Sequence, residues 1–188
     1  MIIKKICCFI LFCISVQLFC QASDSLKIQN KYKNYIEVFP VVVAFNIYSI
    51  QYLYAITKHD DIIIGFTYLN SYFPNKVNSI GQFNAPTLPI GYRRYLWRNF
   101  HIEAQLWFSF DFYFDKLQSK YYNSFDLMGV IRSGYRFDFE FASLPLFINI
   151  QLEYLFGLYG GKKPDSFREK VSEQPPFIMP SLSLGFRF

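Results

Sequence analysis

Cysteine is missing from nearly all of this 188-residue chain: its four cysteines, Cys7, Cys8, Cys13 and Cys20, lie at the amino terminus. Beyond them there is no material for a disulfide framework, a thiolate metal site or a cysteine nucleophile. Histidine is almost absent too, with only His59 and His101. Charge is sparse: 18% of residues are Asp, Glu, Lys or Arg, and no Lys/Arg block appears, which argues against a nucleic-acid partner. After the amino terminus no run nears the roughly 18 uncharged apolar residues of a spanning helix. Intrinsic disorder is excluded as well, because it requires few aromatics and high net charge.

What the chain does have is oil. It is 52% hydrophobic and 21% aromatic, with a mean hydropathy of +0.14. The length suits one domain. Residues 1–22 read as a cleaved secretory signal. Lys4 and Lys5 make its positive start, Ile6 to Val16 its apolar stretch, and Cys20-Gln21-Ala22 its cleavage site after Ala22. Two rivals are an uncleaved anchor, for which the apolar stretch is short, and a lipoprotein attached at Cys20, where Phe19 replaces the usual small residue. Without Lys4 and Lys5, the 19 basic residues fall to 17 against 14 acidic ones, a mild excess of three.

Residues 23–188 show period 2 almost everywhere. In Phe100–Phe114 the even positions are Phe100, Ile102, Ala104, Leu106, Phe108, Phe110, Phe112 and Phe114. The odd positions include His101, Glu103, Gln105, Ser109 and Asp111. A strand sends alternate side chains to opposite faces, whereas a helix would mix the two sets. The pattern recurs in Leu127–Phe137, in Leu146–Leu158 and in Ile178–Phe188, where Leu182, Leu184, Phe186 and Phe188 oppose Ser181, Ser183, Gly185 and Arg187. Asn46–Ile56, Ile62–Asn70 and Thr87–Leu96 alternate less regularly, and Arg94 breaks the apolar face of the last. A first strand over Tyr35–Val43, interrupted by Pro40, makes eight. Connections near residues 58–61, 97–99 and 138–145 are short; those near 72–86, 115–125 and 159–176 are longer and polar.

A soluble sandwich alternates too, but its apolar face points inward. Here charges recur in mid-strand opposite long rows of large apolar residues. A closed barrel with an apolar exterior and polar interior accommodates both sets and pairs every backbone group within a bilayer. The fold expected is therefore all-β: a closed antiparallel up-and-down transmembrane barrel of eight strands.

The signal, the alternation, the short-turn and long-loop rhythm and the ending Ser-Leu-Gly-Phe-Arg-Phe resemble the small eight-stranded outer-membrane barrels of the OmpA and OmpX type, with relatives in Bacteroidetes-like bacteria. The resemblance covers most of Asn34–Phe188. It implies a Gram-negative outer-membrane location, contact with outer-membrane lipid and lipopolysaccharide, and an assembly signal formed by Leu184, Phe186 and Phe188 that the barrel-assembly machinery reads. No peptidoglycan-binding domain is expected beyond the barrel. By strand parity, the short turns face the periplasm and the long loops face outward.

The inward set expected is Glu37, Arg93, Glu103, Asp111, Arg132, Arg136, Glu153 and Arg187. Eight strands leave a lumen just wide enough for side chains, and buried charges must be paired. A neutralising polar network is therefore expected over a wide pore, with a role in envelope integrity or surface contact. A lipid-A-modifying enzyme is the main alternative. It would need a histidine base at the external end, whereas His59 and His101 fall near periplasmic turns; an aspartyl site at Asp111 and Asp115 is the remaining catalytic candidate. A soluble lipid-binding β-barrel is a third reading. Tyr48, Tyr92, Trp97, Tyr113, Tyr121 and Tyr122 suggest an interfacial aromatic belt. Lys162, Lys163, Arg168 and Lys170 could touch lipopolysaccharide, although Asp165, Glu169 and Glu173 offset them. No Gly-rich phosphate loop, zinc spacing or calcium loop occurs, and no metal or cofactor is expected.

Overall fold

The computed structural model describes residues 32–70, 81–165, 167 and 176–188, with Phe177 described by its backbone alone. The signal, residues 72–80 of the 72–86 connection, and Arg168, Glu169, Lys170 and Glu173 lie outside the described residues. Within them run β1 (Asn34–Val38), α1 (Pro40–Val43), β2 (Ile47–Ala55), β3 (Asp60–Asn70), β4 (Gly81–Trp97), β5 (Phe100–Asp115), β6 (Lys120–Phe141), β7 (Leu144–Gly160) and β8 (Phe177–Arg187). Each strand pairs antiparallel with the next, and β1 pairs with β8, so the eight described strands close a barrel in chain order. No helix among the described residues is long and apolar enough to cross a membrane.

Alternation sets the two faces as the sequence implies. Tyr52, Ile62, Ile64, Phe66, Ile90, Phe110, Ile150, Leu152 and Leu184 are exposed on the outside. Glu37, Gln51, Arg93, Glu103, Gln105, Arg132, Asn149 and Glu153 are buried inside. The lumen is not polar throughout. Tyr35, Leu53, Ala55, Ile63 and Phe147 cluster inside at the end holding the short turns, and Phe83, Ala85, Tyr113 and Phe167 cluster inside at the other end. Glu37, Arg93, Glu103, Arg132 and Glu153 thus occupy a middle layer between two apolar plugs.

Several boundaries differ from those expected. β1 ends at Val38, not Val43, and the chain turns into α1. The 115–125 connection shrinks to residues 116–119 because β6 begins at Lys120; Asp115 accepts from the backbone N–H groups of Leu117 and Gln118 at 2.8 and 3.1 Å. The 138–145 turn shrinks to Ala142 and Ser143, and β4 begins at Gly81. A bulge between β6 and β7 inserts Leu158: Leu127 pairs with Tyr159 and Met128 with Gly157. Leu158 therefore points inward, 4% exposed, rather than joining the outer face. Tyr113 likewise leaves the aromatic belt; it is buried in the lumen, stacked on Phe83 with ring centroids 4.8 Å apart. Prolines interrupt β4: its pairing with β3 lapses beside Pro89, and its pairing with β5 lapses beside Pro86, as expected where an N–H is missing.

Candidate functional site: a charged ladder across the lumen

Eight strands bring long inward side chains from opposite walls into contact. Five of the charged residues expected in the lumen form one continuous ladder. Glu37 on β1 accepts two bonds from Arg93 on β4, at 2.6 and 3.0 Å. Arg93 reaches Glu103 on β5 at 2.6–2.7 Å. Glu103 meets Arg132 on β6 at 2.7 Å, and Arg132 meets Glu153 on β7 at 2.6 Å. Three carboxylates and two guanidiniums alternate, and all are nearly solvent-free.

Neutral donors complete the ladder. Asn149 donates to Glu37 at 2.7 Å, and Gln105 donates to Glu103 at 2.6 Å. This arrangement answers the electrostatic problem of charge in a low-dielectric interior, where an ion persists only if paired and hydrogen-bonded. Planar guanidiniums suit the task, because their fixed forks bridge two carboxylates at once.

The remaining expected residues stand apart. Arg136 and Arg187 converge on Asp138 near the short-turn rim, at 3.0 and 3.5 Å. The Arg136 guanidinium also lies 4.6 to 5.6 Å from the ring centroids of Tyr95, Tyr35 and Phe147, so aromatic faces stabilise it. Asp111 sits toward the other end, accepting from Ser109 at 2.7 Å and Tyr113 at 3.1 Å. Asp115 is taken up by its turn, as described above. Arg94, which breaks the apolar outer face, is neutralised by Asp60 at 2.9 Å, and Tyr92 also bonds to Asp60. Lys163 pairs with Asp126 at 3.0 Å.

Neutral amides provide a further layer. Gln51, Gln105 and Gln151 each lie over a glycine on the neighbouring strand. A Cβ at Gly65, Gly91 or Gly134 would come within 2.5–2.8 Å of the glutamine Cγ. Glycine is required at these three positions so that a long side chain can lie flat against the wall before reaching inward. Residue-by-residue alternation marks the glutamines as inward, but the glycine partnership depends on register, which the sequence alone does not supply. Asp61, at the end of the short 58–61 connection expected from the pattern, instead lies on β3 and is completely buried. His101 is buried; its Nδ1 lies 3.3 Å from the Asn99 carbonyl oxygen and its Nε2 3.1 Å from the Gln151 amide nitrogen. Both ring nitrogens are therefore engaged, at the short-turn end. Among the described residues, no group of three His, Cys, Asp or Glu side chains forms a metal-binding cluster.

No family model matches the chain, and no curated protein matches it. Among solved structures it is similar to the N-terminal β-barrel domain of OprF from Pseudomonas aeruginosa. That similarity has a TM-score of 0.48 and 13% sequence identity, and covers 85% of this chain and 100% of that one.

Proposed function

We propose that the chain is an integral outer-membrane barrel with a sealed lumen, serving envelope integrity or surface contact through its longer loops. The observation that carries this reading is the orientation of the closed barrel. Ile64, Phe66, Phe110, Ile150 and Leu152 face outward at 48–55% exposure, while Glu37, Arg93, Glu103 and Arg132 lie inside at 0–2%. In water this would leave a large apolar surface exposed; around a bilayer it is the favoured arrangement. A soluble lipid-binding barrel would require the opposite orientation.

Export through the cleaved 1–22 signal and insertion by the barrel-assembly machinery complete this proposal. Leu184 and Phe186 on β8 and Phe188 just after it follow one another along the outer face, with the last two rings stacked 5.7 Å apart. Lipid and lipopolysaccharide are the surrounding partners. An enzymatic role is disfavoured by the position of His101, whose ring nitrogens are occupied inside the short-turn end.

Electrophoresis of unboiled against boiled membrane fractions tests the reading. A folded barrel should migrate differently before heating and resist carbonate extraction. Identical mobility together with release by carbonate would refute it. Profiling lipid A with and without the chain tests the enzymatic alternative.

A further inference from the structure

The barrel wall is incomplete on one side. β8 pairs with β7 from Phe177 onward, but with β1 only from Leu184 to Arg187. Beside residues 177–183, the position of a β1 partner is taken by α1. The chemistry of this break is written in two prolines. Asn34 and Phe188 exchange backbone bonds at 3.2 and 2.9 Å, so even-numbered residues of β1 and β8 aim their N–H and C=O groups at each other. Continuing the register beyond Val38–Leu184 would place residue 40 opposite residue 182, and residue 42 opposite residue 180. Residues 40 and 180 are both proline, so neither can supply its N–H to the ladder.

The turn that fills the break lies on the surface and is anchored at its two ends. α1 buries none of its residues, and Val41 and Val43 are 47% and 44% exposed. Its own backbone bonds run within residues 41–46, from Ala44, Phe45 and Asn46 back to Val41, Val42 and Val43, and its ends are tied to the wall, Phe39 N–H to the Ser49 carbonyl at 3.4 Å and Asn70 N–H to the Asn46 carbonyl at 3.1 Å. Directly behind it, Phe39 is 4% exposed and points into the lumen, its ring 5.1 Å from the Arg132 guanidinium. Besides its two carboxylate partners, that guanidinium has a second aromatic ring over it among the described residues, Trp107, at 5.6 Å.

We propose that this break is a lateral slot for one acyl chain of a bilayer lipid, entered when the 39–45 turn swings aside and Phe39 leaves the lumen. The inference rests on the membrane reading above, since it is the bilayer that supplies the occupant. Three features select an acyl chain. The slot is continuous with the apolar outer belt through Val38, Leu184 and the 65% exposed Ile178. Strands lie about 4.8 Å apart, so omitting one leaves the width of a single extended chain. Pro180 removes a donor from the β8 edge, which makes that edge a poor template for an added peptide strand.

The chain contains two tryptophans, Trp97 and Trp107, which allows a direct test. Trp97→Phe leaves Trp107, which shares the Arg132 guanidinium with Phe39, as the sole reporter of the place Phe39 would vacate; Trp107→Phe leaves Trp97, 55% exposed on the outer face. Each protein is refolded into vesicles of phosphatidylcholine, either plain or brominated on its acyl chains, and heat-dependent mobility confirms folding. Trp107 should be quenched by brominated lipid. Quenching should deepen in Phe39→Ala and be lost in Pro40→Thr/Pro180→Thr, where restored donors let the ladder close. Should the proline variant not fold, the Phe39→Ala comparison decides. Trp107 quenching that is absent, or unchanged by these substitutions while Trp97 is quenched, overturns the slot alone. Quenching of Trp107 only by a free brominated fatty acid overturns the bilayer lipid as the occupant. Failure of brominated lipid to quench Trp97 overturns the membrane reading itself.

Discussion

Gln51 and Gln105 clasp each other across the lumen: each side-chain amide donates to the other's carbonyl oxygen, at 3.4 and 3.1 Å, although β2 and β5 are not neighbouring strands. The Glu103 carboxylate takes another bond from Gln105 and ties this clasp to the charged ladder. A continuous water column cannot pass a section where opposite walls touch. Planar-bilayer recordings of the wild type should therefore show no porin-sized conductance. Gln51→Ala/Gln105→Ala removes the clasp and should introduce a small cation or anion leak. A large stable conductance in the wild type would contradict the sealed lumen.

Glu103 is the only carboxylate of the ladder that joins both guanidiniums, Arg93 at 2.6 Å and Arg132 at 2.7 Å. Breaking a buried ion pair by removing one partner costs about 3–5 kcal/mol, because the other charge stays buried without its counterion. Glu103→Ala should therefore lower the urea midpoint of the refolded barrel in vesicles by an amount in that range. Glu103→Gln should cost less, since it retains acceptor capacity for one arginine. Glu140→Ala, on an exposed site near the rim, serves as the control and should leave the midpoint unchanged.

Phe147 lays its ring over Gly185 on the neighbouring strand; a Cβ there would lie 2.0 Å from the ring Cζ. Tyr35 closes the other side, its ring edge-on to Phe147 at 6.1 Å. Gly185→Ala must displace the ring, and overpacking of this kind costs about 1–3 kcal/mol. Adding Phe147→Ala should recover part of that loss, giving a non-additive double-mutant cycle in the same urea measurement. Strict additivity would show that the two sites do not press on each other.

Alternation alone made the barrel and its inside-out faces legible. Glu103, Arg132 and Glu153 are separated by 29 and 21 residues in sequence, yet each occupies an inward phase, so their membership in the lumen could be read directly. Their mutual pairing could not, because it depends on register and on how far the strands stagger. Leu158 shows the limit of pattern reading: one bulge residue reverses the phase after it, with no local signature in Phe-Gly-Leu-Tyr. The early end of β1 was signalled by Pro40, but the significance of Pro180 emerges only once the two prolines are seen to face the same seam. The apolar plugs were also hidden, since Leu53 and Ile63 lie in phase with polar residues and look like imperfections in the pattern.

Ala142 and Ser143 make the two-residue turn between β6 and β7, with φ of 48° and 63°. Left-handed φ at both central positions is the geometry of a type I′ turn, whose twist matches the flanking strands and which favours Asn-Gly. Neither native residue relieves the steric cost of that region. Ala142→Asn/Ser143→Gly supplies residues suited to the conformation already present; relief of left-handed strain, roughly 1–2 kcal/mol per residue, should outweigh the glycine's greater freedom in the unfolded chain and stabilise the barrel by about 0.5–1 kcal/mol. The urea midpoint should rise while heat-dependent mobility stays unchanged. Because the turn touches neither the charged ladder nor the β1–β8 seam, the effect should add to that of Glu103→Gln within a few tenths of a kcal/mol. A lowered midpoint would mean that the turn departs from the left-handed geometry in the membrane.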